Sequence, residues 1–157
     1  MYIMDVKNLA PFVEAVAAVL PQLGFQSISR SGLKMTRGTV QSNGVLVNIG
    51  LIGMLSGNVI YNISTDSAKS IASKMMMGMP VAEFDAMAQS AIGELGNLLA
   101  ANAAISLEGI GVQIDISPPT LIVGDSFVSA DPNSKNIVVE MRIDDCLIEV
   151  NMLIVPK

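Results

Sequence analysis

The sequence predicts an α+β fold in which long helices pack on one face of an antiparallel sheet. Apolar residues recur at helical spacing in three segments, and β-branched segments come in pairs joined by short turns. Strands joined by short turns pair antiparallel, and helices packed together cover one face of such a sheet. With 157 residues, 51% of them hydrophobic and 15% charged, the chain can bury one core, and we expect a single domain over residues 1–157.

The first predicted element is a helix over residues 9–20. Its apolar residues recur at helical spacing: Leu9, Phe12, Val13, Val16, Val19 and Leu20. Pro21 and Gly24 end the run, because neither residue continues a helix well. Residues 25–40 follow with a short, polar pattern and two glycines, which favours strands or loops.

Two strands are predicted at residues 45–52 and 58–63. Both are rich in β-branched residues, and the glycines between positions 53 and 57 favour a hairpin with a bulge or a wide turn. Residues 64–66 (Ser-Thr-Asp) then form a cap signal for a second helix, with Asp66 as the expected cap. The apolar positions of that helix are Ala68, Ile71, Ala72, Met75 and Met76.

The second helix ends in a methionine-rich run over residues 75–80, which we interpret as adaptable core filler. A longer helix is predicted over residues 81–107, and Gly109 and Gly111 mark its end.

The last part of the sequence alternates in the manner of strands. Short strands are predicted at residues 112–116 and 121–123, separated by Ser117–Pro118–Pro119, and a final hairpin at residues 137–143 and 146–155 turns at an Asp–Asp pair. The two long hairpins are similar in length, which by itself indicates a two-fold repeat only weakly.

The composition excludes several functional classes. A net charge of −5 with scattered Lys and Arg gives no basic footprint for nucleic acid or an anionic membrane. The absence of His removes Ser–His and Cys–His catalysis and imidazole metal ligands. Cys146, the single cysteine, lies in an apolar alternating segment, so we expect a buried structural thiol.

No segment of the sequence reads as a targeting signal or a membrane span. The N-terminal stretch MYIMDVKNLAPF has no signal-peptide pattern, and the most apolar run, GVLVNIGLIGML, is too short to cross a bilayer. We therefore expect a soluble, cytoplasmic protein.

The long helix is predicted to have an outer face with only a few functional groups. At about 100° per residue, Ser90, Glu94 and Asn97 fall within roughly 60° of one another on neighbouring turns. The core-facing side collects Phe84, Ala88, Ala91, Ile92, Leu95, Leu98 and Leu99. The rest of the outer face is small: Gly93, Ala100, Ala101 and Ala104.

Small residues in the middle of a helix need a physical reason. Gly93 and Gly96 each cost about 1 kcal/mol of helix stability relative to Ala, and close approach of another backbone would explain them. One interpretation is a docking ridge in which Ser90, Gly93 and Ala101 contact a partner. The other is an ordinary solvated face with helix–sheet packing at the glycines.

A sequence motif favours the docking interpretation. The stretch DAMAQSAIGELGN over residues 85–97, with Pro118–Pro119 downstream, resembles the signature of the CheC/CheX/FliY phosphatases, which act on the phosphorylated chemotaxis response regulator CheY. That signature is an Asp or Ser, a Glu, an Asn and a later proline, and all four occur here in register. The first helix lacks a second copy, because Ala10 and Ala17 flank Glu14 where the signature needs Ser or Asp and an amide. A single copy is the CheX arrangement.

The resemblance implies a fold of two pseudo-symmetric αββ halves and an activity, hydrolysis of the aspartyl phosphate of a CheY-like response regulator. It implies that Asn97 positions the attacking water and that Glu94 pairs with a lysine of the regulator. Pro118 and Pro119 would shape the loop beside the helix. No cofactor is expected on this chain, because the regulator brings its own Mg²⁺.

The resemblance also implies a homodimer joined along the sheets, for which the apolar final strand, LIEVNMLIV, would provide an edge. The alternative function is a non-catalytic module that binds a response regulator or a flagellar-switch protein through the same helix.

Overall fold

The computed structural model describes residues 6–156; Met1–Asp5, which begin the N-terminal stretch considered above, and Lys157 lie outside the described residues. The helices are α1 (Val6–Val19), α2 (Thr65–Met75) and α3 (Ala86–Gly109), with a 3-10 turn at Leu20–Leu23. The strands are β1 (Ile28–Arg37), β2 (Val40–Gln41), β3 (Gly44–Gly53), β4 (Leu55–Ser64), β5 (Ile114–Ile116), β6 (Thr120–Val123), β7 (Phe127–Val128), β8 (Lys135–Ile143) and β9 (Cys146–Pro156). The single domain over residues 1–157 stays a prediction.

An antiparallel sheet forms one layer and the helices form the other. The strand order is β1-β8-β9-β4-β3-β5, and β6 pairs with β3 on the same side as β5. Every pairing in this sheet is antiparallel, which confirms the predicted α+β class. A ribbon of β2 and β7 lies on the opposite face, where Val40 belongs to a small apolar cluster with Leu46 and Ile60.

The sheet is organised as two related halves. The hairpins β3–β4 and β8–β9 meet at the central pairing of β4 with β9. Strand β1 of the first half pairs with β8 of the second, whereas β5 and β6 of the second half pair with β3 of the first. Each half therefore supplies an edge to the other, an arrangement that agrees with the predicted pseudo-symmetry.

The structure confirms the predicted end of the first helix and corrects the residue that caps the second. The turn after α1 ends at Gly24, whose φ of 100° is a left-handed conformation that glycine adopts without strain. The cap of α2 is Ser64, whose Oγ accepts a hydrogen bond from the Ser67 N–H at 3.2 Å, so the choice of Asp66 was wrong. Asp66 lies in the first turn instead, where a carboxylate favours the helix dipole.

One helix boundary differs from the prediction, and one segment that the sequence left open between strand and loop is a strand. Helix α3 begins at Ala86 rather than at residue 81, because the Asp85 carboxylate accepts the Ala88 N–H and caps the helix there. Residues 25–40, predicted as strands or loops, contain the ten-residue strand β1, whose largely exposed residues leave little apolar pattern to detect.

The prediction that the final strand forms a sheet edge is wrong. Strand β9 pairs with β4 on one side and with β8 on the other. Its buried apolar residues, Ile148, Val150, Met152 and Ile154, alternate with Glu149 and Asn151, so its apolar character comes from the one sheet face that packs in the core. The exposed edges of the sheet are β1 on one side and β5 with β6 on the other.

The long helix buries a wider face than predicted. Its fully buried residues are Ala88, Ile92, Leu95, Gly96, Leu99, Ala100, Ala103 and Leu107. The placement of Ala100 on the outer face was therefore wrong, because α3 packs against α1, α2, β3, β5 and β6 and is covered on several sides. No helix within residues 6–156 is long and apolar enough to cross a membrane.

We predict that Tyr61→Phe stabilises the protein. The Tyr61 hydroxyl is buried beneath α3 and has no hydrogen-bond partner among the described residues, and burial raises its pKa. Removing an unsatisfied buried hydroxyl should raise the free energy of unfolding by about 1 kcal/mol. Because the pKa is raised in the folded state, the wild type should lose further stability above about pH 10, where an unfolded tyrosine ionises.

Urea unfolding of both proteins between pH 7 and 11 would measure this difference. A variant that is less stable than the wild type at neutral pH would show that the hydroxyl is hydrogen-bonded after all.

Candidate functional site

The residues singled out in the sequence lie together on the solvent side of α3. Ser90 and Glu94 are exposed, and Gly93, Asn97 and Ala101 are half-buried. They occupy neighbouring turns of one continuous helix, so their relative positions are fixed by helix geometry.

The two glycines of this segment have different roles. At Gly96 an added Cβ would lie 2.6 Å from Val47 Cγ1, so the helix backbone rests directly on β3 there. At Gly93 an added Cβ would meet nothing within 4 Å. Helix–sheet packing therefore explains Gly96, whereas Gly93 leaves open space on the outer face.

Glu94 and Asn97 have unpaired polar groups. Within residues 6–156 neither side chain forms a hydrogen bond or an ion pair with another described residue. The Glu94 charge and both halves of the Asn97 amide are thus available to an incoming molecule.

A loop between β5 and β6 forms the second wall of the site. The Gly50 N–H donates to Ser117 Oγ at 2.7 Å, and the Ser117 N–H donates to the Gly50 carbonyl oxygen at 2.9 Å, which attaches the loop to β3. Pro118 and Pro119 follow and interrupt the pairing with β3, since proline has no N–H to donate.

Helix and loop together enclose an open groove. Its helix wall consists of Ala86, Gln89, Ser90, Gly93, Glu94 and Asn97, and its loop wall of Ile116, Ser117, Pro118, Pro119 and Leu121. The structure thus brings the predicted carboxylate, amide, hydroxyl and proline pair into one groove. Ala101 lies one turn beyond it, on the same side of α3.

Sequence reasoning missed two polar residues of this groove. Gln89 lies one turn before Gly93, and its Nε2 donates to the Phe84 carbonyl at 3.0 Å, which fixes the start of α3. At about 100° per residue Gln89 lies within roughly 40° of Gly93, so helical spacing could have identified it. Ser117 carried a weaker signal, its position directly before two prolines and between two short strands.

The chemistry that this groove can supply is limited to positioning and charge. Cys146 is buried away from it in β9, and burial raises the pKa of its thiol, as expected for a structural cysteine. Among the described residues, no three His, Cys, Asp or Glu side chains are placed to hold a metal ion. The groove offers a carboxylate, two amides and hydroxyls.

Known proteins are similar to this chain over the part that contains α3 and the groove. The family model "Chemotaxis phosphatase CheX" matches residues 45–142, which is more than half of the chain. Over 76 residues the chain is 45% identical to the CheY-P phosphatase CheX of Thermotoga maritima. That match covers 48% of this chain and 49% of the relative, so it spans about half the length of the curated protein.

Solved structures share the fold over nearly the whole chain. A crystal structure of a CheX-CheY-BeF3-Mg²⁺ complex from Borrelia burgdorferi is similar with a TM-score of 0.79 at 27% identity, covering 94% of this chain and 97% of that one. A CheC-like superfamily protein from Shewanella sp. PV-4 has a TM-score of 0.84 at 18% identity, covering 98% and 99% of the two chains. These similarities confirm the predicted CheC-like fold.

We predict opposite effects on stability for Gly96→Ala and Gly93→Ala. The new methyl group at residue 96 would press on Val47, a stiff β-branched side chain in a buried strand, and overpacking costs about 1–3 kcal/mol. The methyl group at residue 93 meets open space, so this variant should gain about 1 kcal/mol of helix propensity.

Chemical unfolding of the two variants beside the wild type would test this pair. Equal effects at the two positions would contradict the packing assigned to Gly96.

Proposed function

The chain belongs to the CheX family of chemotaxis phosphatases, and from this membership we propose that it hydrolyses the aspartyl phosphate of a CheY-like response regulator. The observation that carries the proposal is the position of Glu94 and Asn97, about one turn apart on α3. Their polar groups have no partner among the described residues, and both line a groove whose other wall includes Pro118 and Pro119. The structural relative from Borrelia burgdorferi, a complex of CheX with CheY, BeF3 and Mg²⁺, supports a receiver domain as the partner.

The chemistry divides between the two proteins. Water attacks phosphorus in line with the bond to the aspartyl oxygen; that bond breaks, and the products are the free carboxylate and inorganic phosphate. The response regulator would bring Mg²⁺ and a lysine, which neutralise the phosphoryl charge. What the phosphatase must add is the correct position of the water.

Asn97 is the residue that we assign to the water. Its carbonyl oxygen accepts a hydrogen bond, its NH₂ group donates two, and the neutral amide does not repel the phosphoryl oxygens. A carboxylate at the same place would face an anion at close range. Because Asn97 follows Gly96 on a helix that is anchored to the sheet, its backbone position is fixed relative to the groove.

Glu94 is assigned to the partner's lysine. A charge-assisted hydrogen bond in a site that dries on docking contributes about 1.5–3 kcal/mol. Ser90, Gly93 and Ala101 would contact the partner around this pair, with Gly93 allowing close approach of its backbone. Pro118 and Pro119 shape the loop wall without contacting phosphate.

The proposal carries consequences for cofactors, location and assembly. The chain would need no cofactor of its own, and it would work in the cytoplasm, where response regulators act. We also propose a homodimer formed through β1, the edge strand that exposes Leu33 and Met35, in place of the central strand β9. A monomer in sedimentation at micromolar concentration would contradict the dimer.

A second function uses the same helix without catalysis. Glu94 and the small residues around it would suit a module that binds a response regulator or a flagellar-switch protein without catalysing a reaction. The two functions differ in what Asn97 does.

We predict that Asn97→Ala abolishes the acceleration of dephosphorylation while complex formation survives. Loss of the water-positioning group should lower the rate by about 10²-fold or more, to the spontaneous rate of the phosphorylated receiver domain. Release of phosphate from a phosphorylated CheY-like receiver would be followed with the wild type, this variant and Glu94→Gln. The Glu94 variant should chiefly weaken binding.

Two control variants are available on the same protein. Asn102→Ala removes an amide from α3 away from the groove, and Glu14→Gln removes an exposed carboxylate from α1; both should behave as the wild type. If the wild type accelerates dephosphorylation and Asn97→Ala does so equally, the catalytic assignment is wrong. If the wild type binds the receiver without any acceleration, the non-catalytic function is correct.

A further inference from the structure

A second hollow lies beside α3, separate from the groove at Glu94 and Asn97. It is located toward the C-terminal end of α3 and is lined among others by Met54, Ala104, Ile105, Glu108 and Gln113. Met54 is 51% exposed and Ile105 is 70% exposed, which is costly for large apolar side chains that contact only water.

This second hollow lies on the same side of α3 as the proposed active groove. Ile105 follows Glu94 by eleven residues, so it lies about 16 Å farther along the helix and within roughly 20° around the axis. Glu108 lies about 21 Å from Glu94 and within roughly 40°. A standard protein interface is roughly 30 Å across, so one docking protein can reach both ends.

Met54 is held in position before any partner arrives. It is at the turn between β3 and β4, where its N–H donates to the Gln113 carbonyl oxygen at 3.0 Å and its Sδ accepts from the Gln113 N–H at 3.3 Å. An apolar side chain that is already ordered loses little entropy on binding, so it contributes more to affinity.

The charges along this side of α3 are all negative. Glu94 and Glu108 are the two ionisable side chains of α3, both are exposed, and neither forms an ion pair within residues 6–156. No lysine or arginine lines either hollow among the described residues. The surface that fits this side of the helix is therefore apolar with lysine or arginine beside it.

We propose that Met54, Ile105 and Glu108 form a second docking patch for the same receiver domain. The patch would bind an apolar side chain and a lysine or arginine that lie on the receiver outside its phosphorylation site. This inference rests on the proposed function, and it adds a specificity-determining contact: a receiver lacking that apolar and basic pair would bind weakly even when phosphorylated.

The test uses Ile105→Ser and Glu108→Gln, with Phe127→Ser as a matched control. Phe127 is 57% exposed on β7, whose ribbon lies on the sheet face opposite the helices. Binding would be measured with a receiver domain activated by beryllofluoride and Mg²⁺, and turnover with the phosphorylated receiver. Thermal unfolding of each variant would verify that it is folded.

We expect Ile105→Ser to raise the dissociation constant and KM about tenfold while kcat at saturation stays unchanged. Glu108→Gln should weaken binding less and reduce its salt dependence, because a screened charge pair is lost. Phe127→Ser should match the wild type in every measurement.

The outcomes separate this inference from the proposed function. If the wild type accelerates dephosphorylation but Ile105→Ser and Glu108→Gln match Phe127→Ser, the second patch is refuted and the function stands. If the wild type does not act on the receiver at all, the function itself fails. If Ile105→Ser instead changes the oligomeric state in sedimentation, a second copy of the chain occupies the patch and the inference is overturned.

Discussion

The contact between the α3 backbone at Gly96 and Val47 of β3 determines how the rest of the site is arranged. Because no side chain intervenes, α3 lies close to the sheet, and its rotation is fixed by the buried Leu95 and Leu99 on either side of the contact. With those residues facing inward, Glu94 and Asn97 must face outward. The candidate pair is thus oriented by the packing beneath it rather than by hydrogen bonds of its own, which leaves its polar groups free for another molecule.

The two halves of the fold share an arrangement of helix and strands but differ in the side chains that they expose. Helix α1 carries Glu14 with Ala10 one turn before it, and a groove beside α1 and β1 resembles the groove beside α3 in position. That groove is mostly apolar and bordered by Arg30, Lys34 and Lys135, without an amide at position 17. The same frame therefore presents two different surfaces, and the proposed chemistry depends on the side chains of α3 and not on the fold.

The sequence predicted best what depends on local periodicity. Helix α1, both long hairpins and the outward grouping of Ser90, Glu94 and Asn97 follow from residue spacing alone. The errors occurred at positions that distant contacts determine: β9 lies between β4 and β8 rather than at an edge, and Ala100 is buried because several elements cover α3. The loop wall of the groove also depends on contacts distant in sequence, because Ser117 is held beside α3 by its hydrogen bonds to Gly50.

In the proposed reaction the partner supplies the metal and the reactive phosphate, and α3 supplies a fixed position for water. The most direct test is a crystal structure of the protein bound to a receiver domain that carries beryllofluoride and Mg²⁺. We expect the Asn97 amide within about 3 Å of a water in line with the beryllium–oxygen bond, and the Glu94 carboxylate paired with a lysine of the receiver. A complex in which Asn97 lies outside the interface, or points away from the beryllofluoride, would contradict the proposal.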